Sequence, residues 1–169
     1  LRKAMELLDL VLASSRRITG NLRPSVLDHR GLLGALEWLA DSLSRSAGIA
    51  CDIEIDQPLA GQLETSAART GMFRIVQEAI RNAVRHAEAT RIGVRVRQNG
   101  TFWDIQIEDN GKGIETAALR KPEAIGMLGM RERARALGGN FSLQSQAGAG
   151  TKIVVQVPMT TLASEQSAR

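Results

Sequence analysis

Four short stretches of this chain carry residue types that do chemistry with phosphate, a hard cation or a purine amine. They are Glu78-Ala79-Ile80-Arg81-Asn82, Asp109-Asn110-Gly111-Lys112-Gly113, Gly126-Met127-Leu128-Gly129 and Gly148-Ala149-Gly150-Thr151. Glu78 and Asn82 are four positions apart, which on a helix puts them on one face with a rise of about 6 Å between their Cα atoms. Two oxygen donors so spaced can converge on one hydrated Mg²⁺, an ion that prefers oxygen and shares itself between protein groups, water and phosphates. Asp109 closes a strand-like run, and no strand follows its glycines at once, as a hairpin would require. A carboxylate there can accept a hydrogen bond from an exocyclic amine such as adenine N6, while Gly111 and Gly113 let the backbone approach a flat ring. Gly126 and Gly129 lead into a helix, whose unpaired N–H groups and dipole attract phosphate. Gly148 to Thr151 is equally a tight hairpin or part of the same pocket. Each stretch alone is an ordinary feature, but their order points to a site for ATP and a metal ion.

The elements that must hold these residues follow from apolar periodicity and from turn residues. Residues 1 to about 20 carry Leu7, Leu8, Leu10, Val11 and Ile18 at helical spacing, and a break follows at Gly20 to Pro24. A second helix is expected from about Arg30 to Ala47, with Gly48 as its stop. Cys51 to Ile55 alternates like a strand, and a turn-rich segment from Asp56 leads to Thr65, a good N-cap for a long helix running to about Ala87. On that helix Met72, Ile75, Val76, Ala79, Ile80, Ala83, Val84 and Ala87 cover the apolar half, with Glu78, Asn82, Arg74, Arg81 and Arg85 opposite. Strands are expected at Ile92 to Arg97 and Phe102 to Glu108, joined at Asn99-Gly100. A helix over Met127 to Leu137 stops at Gly138-Gly139, and strands at Phe141 to Ser145 and Lys152 to Val157 complete a sheet of about five. The tail from Thr160 to Arg169 is polar.

Composition narrows the function. The 169 residues suit one domain plus a short appendage, with 43% hydrophobic residues and no run near the ~18 apolar residues of a membrane span. The single cysteine, Cys51, excludes an internal disulfide and fits a reducing, cytoplasmic setting. A net charge of +4 and a pI near 10.0 invite nucleic-acid binding, yet aromatics make up 3%, there is no tyrosine, and no nucleic-acid motif is present. Several arginines instead cluster around the Glu78 segment (Arg74, Arg81, Arg85, Arg91), where a polyphosphate could use them. Neither a P-loop nor the Gly-x-Gly-x-x-Gly of a dinucleotide fold occurs.

These stretches resemble the motifs of the sensor histidine kinase ATPase domain. Glu78 and Asn82 are similar to its N box, Asp109 to Gly113 to its G1 box, Gly126 to Gly129 to its G2 box, and Gly148 to Thr151 to its last glycine box. Leu22-Arg23-Pro24-Ser25-Val26-Leu27-Asp28 with Gly31-Leu32, and Gly129-Met130-Arg131-Glu132-Arg133-Ala134, resemble the nitrate-sensor and DesK-like branch. The resemblance covers about residues 20 to 158. It implies a Bergerat-type (GHKL) α/β sandwich, a mixed sheet of about five strands covered by about three helices and preceded by a helical dimerisation segment. It also implies ATP and Mg²⁺ as cofactors. Residues 1–48 would be part of the dimerisation and phosphotransfer region, 49–159 the ATP-binding catalytic domain and 160–169 a flexible tail.

Carried over by position, Asn82 would ligate Mg²⁺, with Glu78 acting through water or assisting proton movement, and these two would be the catalytic pair. Asp109 would select adenine, Gly111, Gly113, Gly126 and Gly129 would shape pocket and lid, and Thr151 would support the adenine side. Arg85, His86, Lys112, Leu128 and Met130 would complete the nucleotide-binding set. The implied partners are a response-regulator receiver domain, the protein's own dimerisation domain and a second copy in a full-length homodimer, with no nucleic acid and with membrane contact only through parent segments outside this chain. The pattern departs in one respect: no His-Asp or His-Glu pair marks a phosphoacceptor, and the two histidines are His29 and His86. The chain therefore reads as a fragment that binds ATP without phosphorylating itself. A degenerate nucleotide-gated module and another ATPase of the same superfamily are the alternatives.

Overall fold

The computed structural model describes residues 25–56, 66–114 and 125–159. The expected helix over residues 1 to 20, the Thr65 cap, most of the interval between Gly113 and Gly126, and the tail lie outside them. Three helices and five strands follow in the order α1 (Ser25–Ala47), β1 (Ala50–Ile55), α2 (Ser66–Asn82, prolonged by a π-helical turn, Ala83–Ala87), β2 (Arg91–Asn99), β3 (Phe102–Asp109), α3 (Ile125–Ala136), β4 (Asn140–Ser145) and β5 (Thr151–Pro158). The strands form one mixed sheet ordered β1-β2-β3-β5-β4, in which β1 runs parallel to β2 and all other neighbours are antiparallel.

Strand residues alternate between two faces, and here the alternation separates core from solvent. Ile92, Val94 and Val96, then Trp103, Ile105 and Ile107, then Ile153, Val155 and Val157 are all buried. They pack under Met72, Phe73, Ile75, Val76, Ala79 and Ile80 of α2 and under Met130 and Ala134 of α3. The alternate positions of β2 (Arg91, Arg95, Arg97) face solvent. Asn99 pairs with Phe102, so the β2–β3 turn is Gly100-Thr101, one residue later than expected. Among the described non-glycine residues only Glu88 has a positive φ, so the turn has Gly100 alone at φ 60. That is the pattern of a type II′ turn, which wants glycine first, whereas Asn-Gly at the centre would have needed two positive φ values.

The helix α1 contributes Leu27, Leu32, Ala35, Leu36 and Leu39 to the same core, against β1 and α2. Leu36 and Leu39 are 0% and 7% exposed. The helix α1 thus shares one packed core with the sheet and α2. Gly48, at φ 67, ends α1 by donating to the Ser44 carbonyl at 3.0 Å, as anticipated. Gly31 interrupts α1 with φ 65 and ψ −170. No described helix is long and apolar enough to cross a membrane. Cys51 is half-buried on β1, and burial together with Asp52 pushes its thiol up to about 11, which makes it unreactive.

Candidate functional site

The period-2 pattern of β3 places Asp109 in the same row as Trp103, Ile105 and Ile107, so its carboxylate ends a core-facing row and points to the helix side. Register sets Asp109 opposite Thr151 of β5, and Thr151 opposite Ser145 of β4. The three rows therefore end in a polar string at one edge of the core. Asp109 Oδ1 accepts from the Gly111 N–H at 2.9 Å, and the Thr151 backbone N–H and hydroxyl also serve this carboxylate. Ser145 Oγ lies 3.0 Å from Thr151 Oγ1, donates to the Gly150 carbonyl at 2.9 Å and accepts from the Ile114 N–H at 2.8 Å. Burial pushes the Asp109 pKa up, and the hydrogen bonds from Gly111 and Thr151 oppose it only in part.

The two glycine loops are built into each other. The Lys112 N–H donates to the Ala87 carbonyl at 2.7 Å, and the Gly148 N–H to the Lys112 carbonyl at 2.7 Å. A Cβ on Gly111 would overlap the Ala87 backbone, one on Gly113 the Gln146 carbonyl, and one on Gly150 the Asp109 carbonyl. Gly113 and Gly150 also sit at φ 72 and 78, in the left-handed region. These glycines are required first by the contact of loop on loop and loop on helix. Gly148 to Thr151 closes the β4–β5 hairpin and at the same time packs against the loop that follows Asp109. Asn110, given no role from sequence, is the staple: its Oδ1 accepts from the N–H groups of Thr90 and Arg91 at 3.0 and 2.9 Å, and its Nδ2 donates to Thr90 Oγ1 at 2.9 Å.

A second group forms on α2. Glu78 pairs with Arg81, and its side chain is only 15% exposed. Gly126, at the start of α3, leaves no room for a Cβ beside Glu78 Oε1, and such an atom would lie 3.4 Å from Asn82 Nδ2. The structure thus brings together Glu78, Asn82 and Gly126, and separately Asp109, Gly111, Gly113 and Thr151. The π-helical turn joins the two sets, because it follows Asn82 directly and ends at the Ala87 carbonyl that receives the Lys112 N–H. Single π-helical turns inside α-helices are frequent at functional sites. Arg85 and His86 are exposed on that turn, and Lys112 pairs with Glu88 at 2.6 Å. Leu128 is 58% exposed, whereas Met130 is wholly buried and seats α3 on the core. Ser145 and Asn110 were missed because a strand-end serine and an asparagine before glycine carry no signal apart from their partners. His29 is exposed on α1.

This arrangement matches the family described as histidine kinase-, DNA gyrase B- and HSP90-like ATPases over residues 67–161, and the chain belongs to that family. Within it, the chain is 32% identical over 150 residues to the signal transduction histidine-protein kinase/phosphatase DegS of Brevibacillus brevis and 35% identical over 146 residues to that of Bacillus subtilis. These alignments cover 89% and 82% of this chain but 38% and 37% of the relatives, so the chain spans less than two fifths of their length. The fold is also that of the Acinetobacter baumannii histidine kinase AdeS, with a TM-score of 0.65, 16% identity, and coverage of 92% of this chain and 83% of that one. The domain is therefore of the sensor histidine kinase type, and ATP is the ligand of its family.

Proposed function

We propose that this chain carries the catalytic step of a sensor histidine kinase, in which the γ-phosphoryl of ATP passes to a histidine on a dimerisation helix and then to a response-regulator aspartate. The observation that carries this reading is the Asp109 carboxylate, held half-buried at the end of a core-facing row by Gly111 and Thr151. A carboxylate kept there against its desolvation cost is an acceptor waiting for a donor, and the adenine amine is such a donor. Asn82 and Glu78 offer an amide oxygen and a carboxylate, the hard donors that suit Mg²⁺. Among the described residues no cluster of three or more His, Cys, Asp or Glu forms a metal cage, so such an ion would draw most of its ligands from phosphates and water. Bound there, Mg²⁺ would neutralise phosphate charge.

The transfer itself needs positioning more than covalent chemistry from the protein. A nitrogen–phosphorus bond forms to the acceptor imidazole, the bond from γ-phosphorus to the bridging oxygen breaks, and ADP leaves. In this reading Glu78, one turn from Asn82, takes the imidazole proton, exchanging its pairing with Arg81 for it. Neither His29 nor His86 is followed by an acidic residue, so this chain alone should not phosphorylate itself. Its partners in this reading are the acceptor helix of the dimerisation domain, a second copy in the full-length homodimer and a receiver domain, all in the cytoplasm.

Calorimetric titration of ATP with and without Mg²⁺, on wild type and Asp109→Ala, tests the reading. Saturable, Mg²⁺-dependent binding that is lost in Asp109→Ala is the expected result, followed by phosphorylation of a supplied acceptor domain. A folded wild type that binds no ATP would overturn it. Binding without transfer to any acceptor would favour a degenerate nucleotide-gated module.

A further inference from the structure

The two edges of the sheet are finished differently. An edge strand offers a row of unpaired N–H and C=O groups to any strand that reaches it, and proteins protect such edges with charged side chains, proline, bulges or a covering element. On β1 the solvent-facing Asp52 and Glu54 supply that charge and pair with Arg91, Arg95 and Arg97. The other edge is β4, Asn140-Phe141-Ser142-Leu143-Gln144-Ser145, and beyond it no strand lies among the described residues. No charged residue and no proline falls between Arg135 and Lys152. The register of β4 with β5 runs from Asn140 to Ser145 without a skipped residue, so there is no bulge either. Phe141 and Leu143 face the core opposite the buried Val155 and Ile153, yet they are themselves only half-buried. From the helix side Arg131 covers the Phe141 ring at 5.7 Å.

What can complete this edge is set by its own sequence. Residues opposed in an antiparallel pair share one face of the sheet, so a strand pairs with its own copy about a two-fold axis that passes through a residue. With Ser142 on that axis, Ser142 meets Ser142, Phe141 meets Leu143 and Asn140 meets Gln144 of the copy. The core-facing rows then join apolar to apolar, and the solvent-facing rows join hydroxyl to hydroxyl and amide to amide, pairs that stabilise antiparallel strands. An axis through Leu143 would instead set Phe141 against Ser145 and carry Asn140 past the end of the strand. Charge singles out the same partner. Two copies of a chain with a net charge of +4 repel one another, and β4 is the edge at which they meet with no charged side chain in the ladder. We infer that β4 is a self-complementary docking edge, which pairs antiparallel with β4 of a second copy about Ser142 and joins the two sheets into one. The axis is then perpendicular to the sheet, so both helix faces, and both Asp109 carboxylates, lie on one side. The pairing does not depend on the ATP reading above.

Disulfide trapping tests the register, on the 169-residue chain carrying Cys51→Ala so that no native thiol remains. Opposed Cα atoms of an antiparallel pair lie about 4.5 to 5.5 Å apart, inside the span of about 4.4 to 6.8 Å that a disulfide bridges. Ser142→Cys, at an exposed position, is therefore expected to give a covalent dimer under mild oxidation. Gln144→Cys, equally exposed, sets its two thiols about 14 Å apart along the paired strands and is expected to give none. Asn140→Cys combined with Gln144→Cys should crosslink again. Sedimentation velocity of the unsubstituted chain supplies a second readout. An interface this small is weak, so the boundary should move from monomer towards dimer as concentration rises. Ser142→Lys, which sets two ammonium groups face to face, should lose that shift while melting as the wild type does. A wild-type chain that stays monomeric at every concentration would overturn the pairing and leave the edge to another segment or another protein. Equal crosslinking of Ser142→Cys and Gln144→Cys, the mark of random collision, would overturn it as well, and so would association that Ser142→Lys leaves intact.

Discussion

Two polar networks lie on opposite faces of one sheet, and they differ in what holds them. On the solvent face Asp52 pairs with Arg91, Glu54 with Arg95 and Arg97, and Glu108 with Arg95 and Lys152. Every side chain there is more than a third exposed, so water competes with each contact and loss of any one contributes little to stability. On the helix face Asp109, Thr151 and Ser145 end three hydrophobic rows, and the loops around them are locked by backbone contacts with no space for a methyl group. Their carboxylates even shift in opposite directions. Hydrogen bonding to Arg97 holds Glu54 below its usual pKa, while burial pushes Asp109 above it. The abundant network is a surface that tolerates change, and the sparse one is a site whose geometry is maintained against an energetic cost.

The largest break of this comparison should come from Gly113→Val. It forces a branched residue into φ 72 and drives its Cβ into the Gln146 carbonyl. Strain and overpacking together are worth roughly 2 to 5 kcal/mol, so urea unfolding should show a clear loss of stability, with no nucleotide binding left. Next is Asp109→Asn, which tests whether the site is held at a cost. The native pKa of Asp109 lies above its unfolded value, so ionisation destabilises the fold. That penalty is absent below the unfolded carboxylate range and grows as pH rises through the native pKa. The variant should therefore melt higher than wild type at pH 7, by about 2 to 4 °C for each kcal/mol relieved, and the gain should vanish in acid. Its ATP affinity should fall all the same, because an amide accepts more weakly than a carboxylate. A lower melting point at neutral pH would contradict the account of Asp109.

Gly126→Ala should have a smaller effect, confined to function. The added methyl meets the flexible end of Glu78, which can swing away, and alanine favours a helix more than glycine does. Stability should hold or rise slightly while Mg²⁺-dependent ATP binding weakens several-fold. Unchanged binding would detach Glu78 from the metal.

How much of this was legible beforehand depends on whether a feature repeats along the chain. The strands were readable because Ile92, Val94 and Val96, and Trp103, Ile105 and Ile107, alternate with charge. The face of α2 was readable because its apolar residues recur at helical spacing, although Phe73 was missed and is fully buried. The motif glycines were legible as a set, but their reasons were not, since the carbonyls of Ala87, Gln146 and Asp109 that exclude a Cβ come from distant loops. Ser145 and Asn110 act only through tertiary partners. The π-helical turn leaves no compositional trace. The second helix was legible from about Arg30 on, but a helical pattern does not name what it packs against, and here α1 packs on β1 and α2.

The smallest effect expected is from Glu54→Gln on the solvent face, and it is the sharpest check on the comparison because so many contacts converge there. Glu54 accepts from Arg95 at 3.2 Å and from Arg97 at 2.8 Å, beside an open concavity lined also by Asn99, Asp104 and Gln106. Its lowered pKa means the pairing contributes above the unfolded carboxylate pKa and is lost as pH falls through the native value. Glu54 is exposed, however, and both arginines keep other options: Arg95 retains Glu108 at 3.6 Å, and each can return to water. The melting point at pH 7 should therefore move by no more than about 2 °C, with even that difference fading in high salt, and ATP affinity should match wild type. A larger shift would mean that the charged face is a cooperative network rather than a solvated one, and the contrast between the two faces would have to be redrawn around Glu54.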